Sequence, residues 1–139
     1  MTAAATGQAA MAPGPRSVGG MARQVVRLKR IYDEAAPDDG ARVLVDRLWP
    51  RGVSKARAAL DLWCRDVAPS TALRRWFNHD LVRWDAFRRR YRAELRGNDE
   101  AIAPIRKLLG KGHVTLLFAA RDKQHNEAVV LREFLIEAL

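Results

Sequence analysis

A single cysteine, Cys64, stands in the whole sequence, so no disulfide can form within the chain. That scarcity fits a reducing, cytoplasmic setting. Long hydrophobic runs are missing too. No apolar stretch approaches the roughly 18 residues needed to cross a bilayer, and no membrane association is expected. The three histidines are scattered, and with one cysteine they make no recognisable metal-ligand spacing. No glycine-rich phosphate loop, nucleophile elbow or dinucleotide fingerprint is present, so neither a metal nor a cofactor is expected. Acidic residues are in short supply, 16 against 25 lysines and arginines, which leaves a formal charge of +9. An excess of that sign suits an anionic partner, either a small molecule or nucleic acid.

What is present suffices for one domain. The chain has 139 residues, 48% of them hydrophobic, which is enough for one core. Residues 1–22 are rich in Ala, Gly and Pro without hydrophobic period and are expected to be a disordered extension. Their only charged side chain is Arg16, and no continuous apolar segment follows it, so they do not resemble a signal peptide. Met11 and Met21 are alternative starts. The folded domain is expected over residues 23–139.

Within it, "QVVRLKRIYD" alternates apolar and basic residues and predicts a half-buried or edge strand. "ARVLVDRLW" predicts a short buried strand that Pro50 and Gly52 terminate. "SKARAALDLWCRDVAP" places Leu60, Trp63 and Val67 at helical spacing and predicts a helix. Ser70 is placed to cap the next one, "TALRRWF". Trp84, Phe87, Tyr91 and Leu95 follow steps of three, four and four, the clearest helix in the chain, with Gly97 at its end. "DEAIAPIRKLLGKG" predicts a further helix, "HVTLLFAARD" a third buried strand, and "NEAVVLREFLIEAL" a closing helix. Buried strands separated by helices imply crossover connections. The expected fold is α/β: a small, mostly parallel sheet with flanking helices in a single domain.

Ligands of such sheets bind beyond the carboxyl ends of the strands. Two such ends are legible: Asp46-Arg47-Leu48-Trp49-Pro50-Arg51-Gly52, and Arg121-Asp122 with His125-Asn126 just after them. Arginine presents a planar fork of donors to phosphate or carboxylate. Arg47, Arg51 and Arg121 are therefore candidate anion ligands. Trp49 is a candidate stacking platform, and Asn126 lies near the free amides of the last helix. Asp46 and Asp122 could orient the arginines, or one could act as a base; His79 and His125 are further catalytic candidates. The competing reading makes Asp46–Arg47 and Arg121–Asp122 a purely structural network, and whether a reaction follows is open. A different function would use the arginine-rich helix over residues 81–96, with Arg83, Arg88, Arg89, Arg92 and Arg96 facing nucleic acid; a solvated helical face explains the same residues. A third reading is a structural partner protein without a ligand. The oligomeric state is not legible.

"RIYD", "ARVLVDRLWPRG", "LDLWCRDVAPSTALRRWFNHD", "FRRRYRAEL" and "VTLLFAARDKQHNEAVVL" together resemble the bacterial domain of unknown function 488, YeaO-like branch. The resemblance runs from about Arg23 to the C-terminus, and "VDRLWPRG" is its most specific motif. It implies a small cytoplasmic α/β protein. It also implies that Asp46, Arg47, Trp49, Pro50, Arg51, Gly52, His79, Arg121, Asp122 and Asn126 belong to the family pattern, without assigning their roles. Cys64 lies outside that motif.

Overall fold

A computed structural model describes residues 25–137. The proposed extension over residues 1–22 lies outside them. The chain forms an α/β domain around a four-stranded, all-parallel sheet. Its strands are β1 (Val26–Arg30), β2 (Ala41–Leu44), β3 (Leu62–Trp63) and β4 (Val114–Phe118), in the order β1-β4-β2-β3. The helices are α1 (Lys55–Ala58), α2 (Thr71–Phe77), α3 (Trp84–Arg96), α4 (Asp99–Leu109) and α5 (Glu127–Glu137).

The alternation of side chains along the strands divides the core in two. Val26, Val43, Val45, Leu116 and Phe118 face the helical layer, where they meet Leu73, Phe87, Tyr91, Ile105 and Leu131. Leu44 and Leu117 point the other way, into a smaller cluster with Ile31, Val53 and Ala58. That second face is covered by connections and the single turn of α1, not by a full helical layer. β4 is buried along its whole length, as its largely apolar sequence requires, and Thr115, its one polar residue, donates to the Asp39 carbonyl. β1, with one neighbour, is the edge strand that its alternating pattern predicts.

The expected helix over residues 54–68 is corrected. Ser54 caps a single turn, with its Oγ accepting from the Arg57 amide, and Ala59 then adopts φ 49°, which ends it. Arg42 explains why the helix stops. This buried guanidinium donates to the carbonyls of Ala58 and Ala59, taking acceptors that a continuing helix would need. Asp61 Oδ2 accepts from the Arg42 amide at 2.8 Å, and Leu62–Trp63 then pair with Val43–Leu44 as a fourth strand. Leu60, Trp63 and Val67 satisfied a helical period only because a short strand followed by a tight turn buries residues at similar intervals.

Arg42 is held on its other side by Asp39, 2.6 Å away and 6% exposed. Asp39 also accepts from Lys29 Nζ and from the Ala36 amide. Burial raises the pKa of its carboxyl, but these donors outweigh burial and leave it below its ordinary value. Next to it, Gly40 has φ 68°, and a Cβ there would meet the His113 carbonyl oxygen at 2.3 Å. This buried cluster locks β2 against β3 and α1. Removing one partner of such a pair strands the other charge. Asp39→Ala should lower unfolding free energy by about 3 kcal/mol in urea titrations, with the slope against denaturant unchanged.

Candidate functional site

β2 and β4 are parallel neighbours, so their carboxyl ends emerge side by side. The ladder continues one step beyond β2, where the Val45 amide donates to the Leu117 carbonyl at 3.1 Å. The next residue turns into the loop. Asp46 Oδ2 accepts the Ala119 amide at 2.9 Å, joining the two strand ends. Arg30, leaving β1, donates to the carbonyls of Ala119 and Ala120. The Trp63 indole donates to the Asp46 carbonyl at 2.8 Å. Trp49 stands edge-on to Trp63, with ring centroids 5.3 Å apart, and its own N–H donates to the Val53 carbonyl. Pro50 is buried and Gly52 takes φ 79°. The stiff loop that follows β2 is thus fixed from both ends.

Beyond these ends lies a cleft of about 580 Å3. The loop after β2 forms one wall, with Asp46, Arg47, Trp49 and Arg51. The end of α2 and the turn after it form a second, with Arg74, Arg75, Asn78 and His79. The start of α5 closes the third side with His125, Asn126 and Glu127. Phe77 and Phe87, stacked at 4.4 Å between centroids, lie at the base. None of the ion pairs among the described residues uses Arg47, Arg51, Arg74 or Arg75. Asn78 and His79 both have positive φ, 45° and 55°, an uncommon pair of non-glycine conformations at the rim.

The candidates read from the sequence separate here. Asp46, Arg47, Trp49, Arg51, His79, His125 and Asn126 all line the cleft. Arg47 is partly committed, since it donates to the Ala68 and Pro69 carbonyls, while its Nε is buried without a partner. Asn126 is buried as the cap of α5: its Oδ1 accepts from Val129 and its Nδ2 donates to the Asp122 carbonyl. Arg121 and Asp122 are exposed and are not part of the cleft wall. Asp122 instead closes a turn, accepting from the amides of Gln124 and His125 and from the His125 ring. The Gln124 amide is foremost in holding its carboxyl below the usual range.

The arginine-rich helix is differently occupied. Arg88 pairs with Glu133 at 2.9 Å, and Arg92 reaches Glu133 and Glu137 on α5. Arg83 sits over the Trp76 ring, as does Arg90. Arg89 and Arg96 remain exposed. Cys64 is buried, and burial pushes its thiol up to about 11, which makes it a poor nucleophile. Among the described residues, no group of three or more His, Cys, Asp or Glu is placed to hold a metal ion. No helix among them is long and apolar enough to cross a membrane.

Sequence reasoning missed Glu127, Arg74 and Arg75. Glu127 follows the capping Asn126, so its position beside the last strand end was a usable signal. The arginines lie in the last turn of α2, just ahead of Trp76-Phe77 and the Asn78-His79 turn, and no motif marks them. Glu127 and Asp46 form an interacting pair of carboxyls. Burial, foremost, and the neighbouring Asp46 push Glu127 up to about 8. Burial also raises Asp46, against the opposing influence of Glu127, the Ala119 amide and Arg74. A proton therefore stays on Glu127 near neutrality, leaving Asp46 as the acceptor of the pair. Apart from Glu127, the buried Asp46 Oδ1 has no hydrogen-bond partner.

Residues 25–139 match the model described as the inactive DUF488-N3 subclade. The chain belongs to the DUF488 family. It is 46% identical over 110 residues to the uncharacterized protein Rv3073c of Mycobacterium tuberculosis H37Rv, covering 79% of this chain and 92% of the relative. It is 41% identical over 110 residues to the uncharacterized protein YeaO of Escherichia coli K12, covering 79% and 96%. No solved structure matches the chain.

The carboxyl pair makes stability depend on pH in a defined direction. A carboxyl whose folded-state pKa is raised binds its proton more tightly when folded, so it stabilises fully below its unfolded value and loses that contribution as pH rises. For Glu127 the window runs from the ordinary glutamate value of 4.5 to about 8. Across it, unfolding free energy should fall by on the order of 3 kcal/mol. Glu127→Gln should flatten this slope in denaturation curves recorded at pH 5, 6.5 and 8.

Proposed function

We propose that this DUF488 protein binds a small anionic ligand, phosphate- or carboxylate-bearing, in the cleft at the carboxyl ends of β2 and β4. The observation that carries the reading is the convergence there of Arg47, Arg51, Arg74 and Arg75, none of them in an ion pair. Guanidinium groups gathered in a concave site attract an anion more strongly than the same groups spread over a convex surface. Arg51, Arg74 and Arg75 supply exposed charge from the rim. Arg47 is held by two carbonyls and supplies a positioned one. Trp49 covers one side.

The family description as inactive favours binding without turnover. The carboxyls of Asp46 and Glu127 then serve recognition, and no proton-transfer step is required of them. A nucleic-acid role for the arginines of α3 has less support, because Arg88 and Arg92 are spent on α5 carboxylates.

Titration of the full chain with inorganic phosphate and pyrophosphate at two salt concentrations tests the proposal. Arg74→Ala and Arg47→Ala should each weaken binding about 10-fold, the scale of one charge-assisted contact, while Arg89→Ala leaves it unchanged. Binding that survives both cleft substitutions but is abolished by Arg89→Ala would transfer the function to α3. A steep salt dependence with mixed-sequence DNA would point the same way.

A further inference from the structure

Arginines alone would make the cleft suitable for any anion, yet one wall carries two carboxyls. A negative wall inside an anion site weakens binding unless the ligand brings something for it to hold. Asp46 has one oxygen committed to the Ala119 amide, and the other, buried, has only the Glu127 carboxyl as a partner. With one proton between the two carboxyls, the pair keeps an oxygen free to accept a ligand N–H. Aromatic side chains also reach the cleft. The Phe77 and Phe87 rings lie at its base, His125 packs against Trp84 at 5.1 Å, and Trp49 stands on the opposite loop.

Building on the anion site above, we propose that Asp46 and Glu127 form a recognition subsite for a ring-edge amino group, so that the ligand is a phosphorylated compound with a planar, amino-bearing ring. The arginines take the phosphate, the aromatic side chains take the ring faces, and the carboxyl pair takes the N–H. A free mononucleotide and a nucleotide unit within a single strand share this chemistry.

Calorimetric titration with adenosine and cytidine monophosphates tests this against purine riboside and 2-pyrimidinone riboside monophosphates. Each of the latter keeps a ring and a phosphate but lacks the amino group. The amino-bearing member of at least one pair should bind about 10-fold tighter or better. Asp46→Asn should reduce that preference and at the same time tighten inorganic phosphate, because it removes the charge of the pair. Glu127→Gln should reduce the preference as well and tighten phosphate at pH 9, where Glu127 is ionised, but not at pH 7. Misfolding lowers both, so the opposite signs identify a recognition role. Should Asp46→Asn unfold through loss of the Ala119 contact, Glu127→Gln carries the comparison alone. Oligoadenylate and its purine-riboside counterpart form a polymer arm, and a preference seen only there supports the subsite with a nucleic-acid strand as the source. Equal affinities within every pair, free and polymeric, with phosphate still bound, overturn the subsite and leave the anion site standing. Failure of phosphate and every nucleotide to bind overturns the anion site itself.

Discussion

The contact between the Asp46 carboxylate and the Ala119 amide determines what this cleft is made of. Parallel strands bring two chain segments to the same edge of a sheet, but beyond the last ladder bond nothing in the sheet keeps them together. Here the ladder ends at Val45 and Leu117, and a side chain replaces it one residue later. Arg30 holds the same segment from the β1 side. The backbone of Asp46 is fixed as well, because Trp63 donates to its carbonyl. With that point immobile, the stiff turn at Trp49, Pro50 and Gly52 is aimed at the ends of α2 and α5. Arginines separated by more than twenty residues in the chain then share one concave surface.

Fixing Asp46 has an electrostatic consequence. The side chain that ties the loops is taken out of water and set beside Glu127, and burial raises both carboxyls above their ordinary range. Arg74 opposes that rise without forming an ion pair. The basic excess of the chain is thus used in two different ways. Along the α3–α5 seam, arginines meet glutamates and the charges are neutralised locally. In the cleft they face carboxyls that are short of one proton between them, so the positive field there is reduced but not cancelled. Net charge by itself did not distinguish these uses, whereas the position of the carboxylates does.

The parts of the fold legible in the sequence are those where one periodicity has one cause. The run at Val114–Phe118 is apolar except for Thr115, whose hydroxyl donates to the Asp39 carbonyl, because the strand is covered on both faces. The stripe of Phe87, Tyr91 and Leu95 recurs at helical intervals because a single helix face is buried. The stretch from Lys55 to Val67 defeated the same reasoning. Its period arises from a helical turn, a two-residue strand and a 3-10 turn in succession, and its true constraint is Arg42, a buried cation some 13 residues upstream. The candidate site was legible on its β2 side, where the motif is contiguous. It was not legible on the α2 side, since Arg74 and Arg75 carry no local sign that the helix end faces a cleft.

Asp46-Arg47 and Arg121-Asp122 show how little an adjacent pair of charges says on its own. Both follow an apolar strand, and both place an arginine next to an aspartate. The first aspartate follows Val45 directly and stays beside the sheet, where burial raises its pKa. The second comes after Ala119 and Ala120, whose carbonyls Arg30 holds while the chain bends outward. Asp122 therefore lands in solvent, where backbone amides lower its pKa and it serves to shape the turn into α5. Equivalent letters reach opposite electrostatic states because of three residues of extra backbone. That offset also places Glu127 and not Asp122 opposite Asp46. The cleft consequently has acceptors on its inner wall and arginines at its rim, an order that suits a ligand entering with its polar ring edge first and its charge last.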